Sequence, residues 1–412
     1  MIKKLSQKNV SLYTMKIYPF IYSKLSSPTL KKINMKNNLI FFQPITQYVN
    51  TGDLIICRSL IEHIRPHGKL IINDRDIPQW FLIELGVQES ERLSSLSKQS
   101  FFSYLLYCSL LSFMKKNRRV YLFLTPGHLL AINRKADLKN LITAPIFGVV
   151  KLAGCRLVKV GASLGPLSSA LGRSESLRAR FMKDYFVRDR YSLNLARKFG
   201  LKKAKFFPDL SWTFNINVKR NELMKFEDRD ILFISFRTKT YSKAPETNYS
   251  ERVIEALEKV LVSLNDNHAF SKILVGYQVG YDEKFCLQIF EHFHSKYPIE
   301  FMDERITVNS ARDIYEKTKY VISNRLHVLL YGARFEALPI PLINSAVHVK
   351  IIGVLEECNL ESLVIDINLQ EDSIKKKLSA IIKNQNETIQ SIGKIEERYK
   401  DQSRELITNI FN

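Results

Sequence analysis

The sequence predicts an α/β protein made of two consecutive doubly wound domains, and three observations support this. Its 412 residues exceed what one hydrophobic core usually serves. From residue 39 onward, short runs of β-branched and aromatic residues alternate with helix-like stretches, which is typical of βαβ units in a parallel sheet. The alternation stops over the polar and charged residues 215–229 and then restarts, which divides the chain in two.

The individual elements follow from the same alternation. In the first half, strands are predicted at residues 39–42, 69–72, 120–124, 157–160, 184–187 and 205–207. In the second half, strands are predicted at residues 231–236, 272–277, 300–302, 320–322, 340–342 and 363–365. Ligands of open α/β sheets bind beyond the carboxyl ends of the strands, so we expect the chemistry in a cleft just after these runs.

The domain boundaries follow from where the pattern starts, stops and changes. We expect a basic segment at 1–36, a first domain at 37–215, a linker at 216–229, a second domain at 230–368 and closing helices at 369–412. The closing helices are predicted because charged and apolar residues alternate there at helical spacing.

Composition excludes several classes of protein. Apolar residues make up 45% of the chain and charged residues 25%, which is typical of a folded globular protein. The five cysteines are scattered and never form a CxxC pair, which favours a reducing compartment over a disulfide framework or a cysteine-rich zinc site. No GxG occurs, so the sequence has neither a dinucleotide-binding fingerprint nor a Walker-type loop.

The net charge of +21 is unevenly distributed. Residues 1–36 carry eight lysines, interleaved with aromatic and aliphatic residues, and no acidic residue occurs before Asp53. Three interpretations of this segment remain open: a solvated tail, contact with an anionic membrane surface, and contact with nucleic acid. Of the three interpretations, nucleic-acid contact is the one that we do not expect.

Nothing in the sequence predicts export or a membrane span. No unbroken apolar core follows Lys3 and Lys4, so no signal peptide is expected. The most apolar run, at residues 101–113, is too short to cross a bilayer and predicts a buried or interfacial helix. We therefore expect a cytoplasmic protein, located at the inner face of the cell membrane if its basic segment binds lipid.

A first motif, Asn50-Thr51-Gly52-Asp53, lies between the first predicted strand and a predicted helix. Gly52 permits a tight turn and a close approach of the backbone, and Asp53 can cap the helix. Free amide groups at a helix start could hold an anion or a sugar hydroxyl. The alternative is an ordinary turn between a strand and a helix.

Two arginines follow predicted strands at equivalent places in the two halves. Arg188 follows the strand at 184–187, where a guanidinium can bind a carboxylate or phosphate through two hydrogen bonds. The alternative is a surface arginine with Asp189 as a helix cap. Arg325 follows the strand at 320–322 in the same way, with Ser323 or Asn324 expected to cap the next helix.

His327 and Lys350 are weaker candidates near the second arginine. His327 lies at the start of the same predicted helix, whose dipole favours a bound anion and lowers the pKa of a histidine. The alternative is a hydrogen-bonded core histidine. Lys350 follows the next strand and could add a positive charge to the cleft.

Two further patterns point to other chemistry. Residues 161–165 match the GxSxG of serine hydrolases, which requires a helix that begins directly at the serine. Residues 74–76 and 228–230 match a metal-binding DxD, but the arginine between the two acids opposes cation binding. We therefore expect no metal.

Five elements in this order resemble the polysaccharide pyruvyl transferase family: NTGD, VGASLGPL, FVRDRYS, FFPDLSW and SNRLHVLLYGARFEALPIPLI. The resemblance runs from about residue 39 to residue 353, and its RLH element is the most specific part. It implies a glycosyltransferase-B-like fold with two Rossmann-like domains facing across a cleft. It also implies transfer of the enolpyruvyl group of phosphoenolpyruvate to a sugar of an exopolysaccharide, capsule or cell-wall glycan precursor. The product would be a pyruvate ketal, and no cofactor would be required.

The resemblance also implies roles for individual residues. Arg188 and Arg325, with Leu326, His327 and Lys350, would bind phosphoenolpyruvate, and His327 would act as the acid. Asn50, Gly52 and Asp53 would bind the acceptor, a lipid-linked oligosaccharide or polysaccharide repeat unit. Beyond the resemblance, the reaction requires a group that takes the hydroxyl proton, and Asp53, Asp189 and Asp209 all remain open for this role.

Two departures from the family pattern concern the acceptor side. Leu54 stands where the family often has an acid, and residues 125–128 (TPGH) replace a glycine-rich strand end. Two other functions therefore remain open: a glycosyltransferase-B enzyme that uses a nucleotide sugar, and a non-catalytic basic binding protein.

Overall fold

A computed structural model describes residues 38–116, 118–129, 134–216, 218, 220–238 and 248–412, with the backbone alone at 134–136. The basic segment at 1–36, with its expected membrane contact, lies outside the described residues.

The first domain is a parallel sheet of seven strands with the order β2-β1-β3-β5-β6-β7, and β4 pairs with β5. This order is that of a doubly wound sheet. The strands are β1 Asn38–Phe42, β2 Gly68–Ile72, β3 Val120–Leu124, β4 Gly127–Leu129, β5 Cys155–Leu164, β6 Met182–Val187 and β7 Ala204–Phe206. The helices are α1 Thr51–Ile64, α2 Gln79–Glu84, α3 Leu93–Leu96, α4 Phe101–Lys115, α5 Arg134–Leu152, α6 Ser169–Ala179 and α7 Arg190–Lys198.

The second domain is a parallel sheet of six strands with the order β10-β9-β8-β11-β12-β13, which is the Rossmann order. The strands are β8 Ile231–Ser235, β9 Lys272–Val275, β10 Ile299–Phe301, β11 Thr318–Ser323, β12 Leu338–Ile343 and β13 Ile365–Asp366. The helices are α8 Tyr249–Asp266, α9 Glu283–Phe293, α10 Ala311–Tyr315, α11 Leu326–Arg334, α12 Val349–Glu357, α13 Glu371–Lys383 and α14 Gln385–Phe411.

Every predicted strand overlaps an observed one, because buried parallel strands are continuous apolar runs that stand out in a sequence. The prediction missed β4, whose three residues include a glycine and a histidine and are only half buried. The GxSxG serine, Ser163, lies inside β5 and is buried, so no helix begins at it and the nucleophile-elbow geometry is absent there.

The two faces of the first sheet carry different helices. Ile40 and Phe42 of β1 pack with α1 and with Ile407 of α14. Leu39 and Phe41 point the other way and pack with α4, α5, α6 and α7. This alternation follows from the period of two in a strand, and it covers both faces of the sheet.

The last helix contacts both domains. Phe411 of α14 stacks on His67 with ring centroids 4.5 Å apart and packs against Tyr121 in the first domain. In the second domain, Glu396 of α14 forms an ion pair with the buried Arg334 of α11. The predicted linker contributes Leu223 and Phe226 to the core of the second domain. No helix of the described residues has the length and apolar character needed to cross a membrane.

Candidate active site

The motif at residues 50–53 is held against the second domain. Asn50 caps α1 by accepting a hydrogen bond from the Gly52 amide at 3.0 Å, so Asp53 is not the cap that the sequence predicted. The Thr51 amide donates to the carbonyl of Gln278 at 3.1 Å. Two amides expected to be free for a ligand are therefore occupied, and the motif instead joins the domains.

Gly52 permits a close approach between the domains at this site. A Cβ atom added to Gly52 would lie 2.8 Å from Cγ of His327 and closer still to Nδ1. Any side chain at residue 52 would therefore displace the imidazole. The family-like elements NTGD and RLH, 275 residues apart in the chain, thus meet across the cleft through a glycine.

Arg188, Asp209 and His327 form a buried cluster at the carboxyl ends of β6, β7 and β11. Arg188 Nη1 donates to Asp209 Oδ2 at 2.8 Å and lies 3.3 Å from His327 Nε2. A guanidinium has no acceptor, so Nε2 must be the acceptor and therefore carries no proton. Arg188 Nε and Nη2 are buried without a hydrogen-bond partner.

Burial and charge set the protonation of this cluster. Burial lowers the pKa of His327 to about 3, with Arg188 adding to the shift and Asp209 opposing it. Burial alone would raise the pKa of Asp209, but Arg188, His327 and hydrogen bonds from Ser211 together hold it below its usual value. Near neutral pH the cluster is therefore a guanidinium, a carboxylate and a neutral imidazole.

More positive charge surrounds the cluster. Burial, with the charges of Arg188 and Arg237, lowers the pKa of the Lys350 ammonium well below its usual value, whereas Asp209 and Asp53 oppose this shift. Such mutual influence requires these groups to be close in space. The cleft therefore brings basic side chains close together, and a bound anion would oppose the lowering of the Lys350 pKa.

Arg325 does not join Arg188 directly. It is the N-cap residue of α11, and its side chain binds Asp282 at 2.5 Å and stacks over the ring of Tyr281. Its Nε is buried without a hydrogen-bond partner. Its charge still contributes to the lowered pKa of His327, so it lies beside the cluster rather than in it. The next residue, Leu326, is buried in the core of the second domain.

The caps predicted for α11 were wrong. Neither Ser323 nor Asn324 caps the helix, because both side chains are used elsewhere. Ser323 Oγ accepts from the Arg325 amide at 2.9 Å. Asn324 Oδ1 accepts from the Arg237 amide at 2.9 Å, and its Nδ2 donates to the Arg237 carbonyl at 2.8 Å. These two bonds fix Arg237 at the end of β8.

The three candidate bases have different surroundings. Asp189 caps α7 by accepting from the Ser192 amide at 2.6 Å and the Ser192 hydroxyl at 2.8 Å. Asp209 is fully engaged by Arg188 and Ser211. Asp53 is half buried and accepts one hydrogen bond, from the Thr46 hydroxyl at 2.5 Å.

A family model for polysaccharide pyruvyl transferases matches residues 50–344, most of the chain. The chain belongs to the polysaccharide pyruvyl transferase family. The match begins at Asn50 and ends just after β12, so it includes both sides of the cleft.

Solved structures confirm the predicted fold class. The UDP-GlcNAc 2-epimerase from Neisseria meningitidis bound to UDP-GlcNAc aligns with a TM-score of 0.54 at 10% identity, over 91% of this chain and 99% of that one. A glycosyltransferase from Rickettsia africae aligns with a TM-score of 0.50 at 12% identity, over 92% and 94%. At such identities the likeness concerns the fold alone. A comparison with curated proteins found no match.

Sequence reasoning missed two residues of this family member's cleft. Arg237 follows β8 without a distinctive motif, and only its charge after a strand could have indicated it. His128 was noted as a departure from the family pattern, without a role. Its Nε2 lies 2.5 Å from the Gly165 carbonyl, and burial, with the charges of Lys350 and Arg188, lowers its pKa to about 3.

In the described residues, no group of three His, Cys, Asp or Glu side chains is arranged to hold a metal ion.

Four histidines, of which His348 is buried and the other three are half-buried, make stability depend on pH. Burial is the largest cause of a lowered pKa at His128 and His327 (about 3) and at His63 and His348 (about 4). In the unfolded chain each would titrate near 6.5, so acid favours unfolding. Their contribution to stability is complete above about pH 6.5. It is lost as the pH falls toward about 4 for His63 and His348, and toward about 3 for His128 and His327.

We expect the free energy of unfolding to fall as the pH drops below about 6.5, with a slope that approaches about 1.4 kcal/mol per pH unit for each histidine that stays neutral in the folded protein. Urea unfolding at several pH values between 7.5 and 5 measures the slope, in a range above the titration of most carboxylates. Stability that stays constant over this range would show that the histidines are not held neutral.

Proposed function

We propose that this protein transfers the pyruvyl group of phosphoenolpyruvate to two hydroxyls of one sugar and forms a cyclic ketal. The observation that carries the proposal is Arg188, a buried guanidinium with two unpartnered nitrogens, beside the neutral His327. A buried cation with free donors is the arrangement that a small anion completes.

The charge of the cleft suits the donor. Phosphoenolpyruvate carries a carboxylate and a phosphate, about three negative charges near neutral pH. Burying such an ion requires compensating cations, and Lys350, Arg188 and Arg237 all lie close enough to His128 to lower its pKa. Arg325 adds a fourth charge at the edge of the cluster.

His327 supplies the proton in this mechanism. Negative charge brought by the donor raises the pKa of the imidazole, so Nε2 can take up a proton and pass it to the methylene carbon of phosphoenolpyruvate. A sugar hydroxyl then attacks the adjacent cationic carbon, and phosphate leaves as a second hydroxyl closes the ring. The two sugar hydroxyls release two protons. One of them restores the proton that His327 gave to the methylene carbon, and the other leaves with the phosphate.

Asp53 is the base that we propose for the attacking hydroxyl. Asp189 and Asp209 have their oxygens committed to a helix cap and to the arginine cluster. Asp53 keeps capacity to accept, and it lies at the cleft near Lys350. The acceptor would approach from the side of the first domain, over residues 50–53 and His128.

The acceptor that we propose is a lipid-linked precursor of an exopolysaccharide, capsule or cell-wall glycan, modified in the cytoplasm. The test is incubation with phosphoenolpyruvate and a panel of lipid-linked or nitrophenyl hexosides. Mass spectrometry then detects addition of one pyruvate to the sugar, and phosphate release is measured in parallel.

The same preparation distinguishes the competing donor. Phosphoenolpyruvate should raise the melting temperature of the protein, because it binds the folded state, whereas UDP and GDP should not. Stabilisation by UDP or GDP, with sugar transfer from a nucleotide sugar and no pyruvate added to any acceptor, would overturn the proposal.

A further inference from the structure

Two neighbouring helices of the first domain expose apolar side chains to solvent. We call their outward surface the α4–α5 face. On α4 it includes Phe113, 64% exposed, and Met114, 78% exposed; on α5 it includes Leu138, 60% exposed, and Leu152, 83% exposed. The remaining exposed apolar residues of the face are Tyr107, Leu110, Leu141, Ile142 and Val149.

These exposed residues are not the inner faces of loosely packed helices. Tyr104, Leu105 and Cys108 of α4 and Phe147 and Val150 of α5 already form the core against the sheet. A surface helix usually presents polar residues opposite its buried stripe, whereas α4 and α5 are apolar on both sides. Such a surface indicates a partner.

The two helices meet at one end. Both pack on the same side of the first sheet, in the same core. Phe113, near the end of α4, lies against Gly154, two residues after the end of α5. A Cβ atom added to Gly154 would lie 3.1 Å from Cβ of Phe113. Met114 and Leu152, the two most exposed apolar residues, therefore stand at the same end of the face.

Positive charge surrounds this face. Between residues 92 and 174 the sequence has thirteen lysines and arginines and a single acidic residue, Asp137. Lys98, Lys115 and Lys116 flank the ends of α4, Lys139 and Lys151 lie on α5, and all five are exposed. The face is thus an apolar patch with a basic rim.

We propose that the α4–α5 face docks on a lipid bilayer that contains anionic phospholipids. Aliphatic and aromatic side chains would enter the boundary between headgroups and acyl chains, while the lysines contact the lipid phosphates. The inference does not depend on which donor the cleft binds.

Charge argues against the other occupants. A second copy of this chain, packed face to face, would bring two basic rims together with only Asp137 of each copy to pair them. Residues 1–36 carry eight lysines and no acid, so they would meet the same repulsion. Nucleic acid would pair with the lysines but would leave the exposed aliphatic side chains unburied. An anionic bilayer matches both the charge and the apolar surface.

The α4–α5 face extends from the candidate site toward the opposite edge of the first sheet. Helix α5 is the next helix after β4, whose His128 lies in the candidate site. Met114 and Leu152 are at the other ends of α4 and α5, just before β3 and β5 begin, so the bilayer would contact the first domain at the edge away from the cleft.

Co-sedimentation of the full chain with vesicles tests the docking. Vesicles of phosphatidylcholine alone are compared with vesicles that also contain phosphatidylglycerol, at low and high salt. We expect binding to the anionic vesicles only, weakened by salt. Met114→Glu combined with Leu152→Glu should reduce the partition constant by about tenfold or more, because it removes apolar surface and adds negative charge.

A matched control keeps the result interpretable. Ile83→Glu combined with Leu287→Glu makes the same change in charge at exposed apolar positions on α2 and α9, outside the face, and should bind as the parent does. Equal binding by the Met114/Leu152 variant would overturn the proposal, because residues 1–36 are unchanged in it. The proposal would also be overturned if the parent protein were a dimer and the Met114/Leu152 variant a monomer, because the face would then bind a second copy. It would likewise be overturned if the parent protein bound neither kind of vesicle.

Discussion

Arg188→Lys is expected to reduce pyruvyl transfer by about 10²–10⁴-fold while the protein remains folded. Lysine keeps a positive charge for the buried Asp209, so no carboxylate is left uncompensated. It cannot supply the two unpartnered donors, Nε and Nη2, that we assign to the donor's carboxylate or phosphate. Two charge-assisted hydrogen bonds, at about 1.5–3 kcal/mol each, account for the expected range.

The measurement is the rate of phosphate release with a saturating acceptor, together with the shift of melting temperature that phosphoenolpyruvate causes. Arg190→Lys is the matched control, because it is the same substitution two residues away on a side chain that is 77% exposed, against 1% for Arg188. Phosphoenolpyruvate that stabilises Arg188→Lys as well as the parent would show that Arg188 does not hold the donor.

Gly52→Ala is expected to reduce the rate by about 10²-fold or more, although it removes no polar group. The new methyl group would overlap the ring of His327, which must then move from its place beside Arg188. Within α1, alanine favours the helix more than glycine does, so local stability should not fall. A lower rate in Gly52→Ala would therefore result from the displaced imidazole and not from a less stable helix.

A double-mutant cycle makes this specific. His327→Ala alone should cost about 10²–10⁴-fold, the usual contribution of a general acid. If Gly52→Ala acts through the imidazole, it should have little further effect once His327 is alanine. Gly280→Ala is the control, since a Cβ there would meet nothing within 4 Å and the parent rate should persist. Additive losses from Gly52→Ala and His327→Ala would contradict the assigned role.

The sequence by itself determined the fold class and the places where chemistry could occur. Buried parallel strands such as β3 and β12 are short apolar runs bounded by turns, and this signal is local, so their order along the chain could be read directly. Arg188 and His327 were found for the same reason, because each follows a strand. The NTGD and RLH elements indicated the family without any knowledge of contacts.

Only the tertiary structure decided which side chains meet. Arg188 and His327 are 139 residues apart, so their contact depends on how two domains pack and not on any local pattern. Arg188 and Arg325 occupy equivalent positions after strands, so the sequence gave no reason to expect different partners. In the structure Arg325 forms an ion pair with Asp282, whereas Arg188 forms one with Asp209. The neutral state of His327 likewise depends on burial that distant segments create. Period and turn signals are local properties, whereas burial and ion pairing are set by chain segments that only folding brings together.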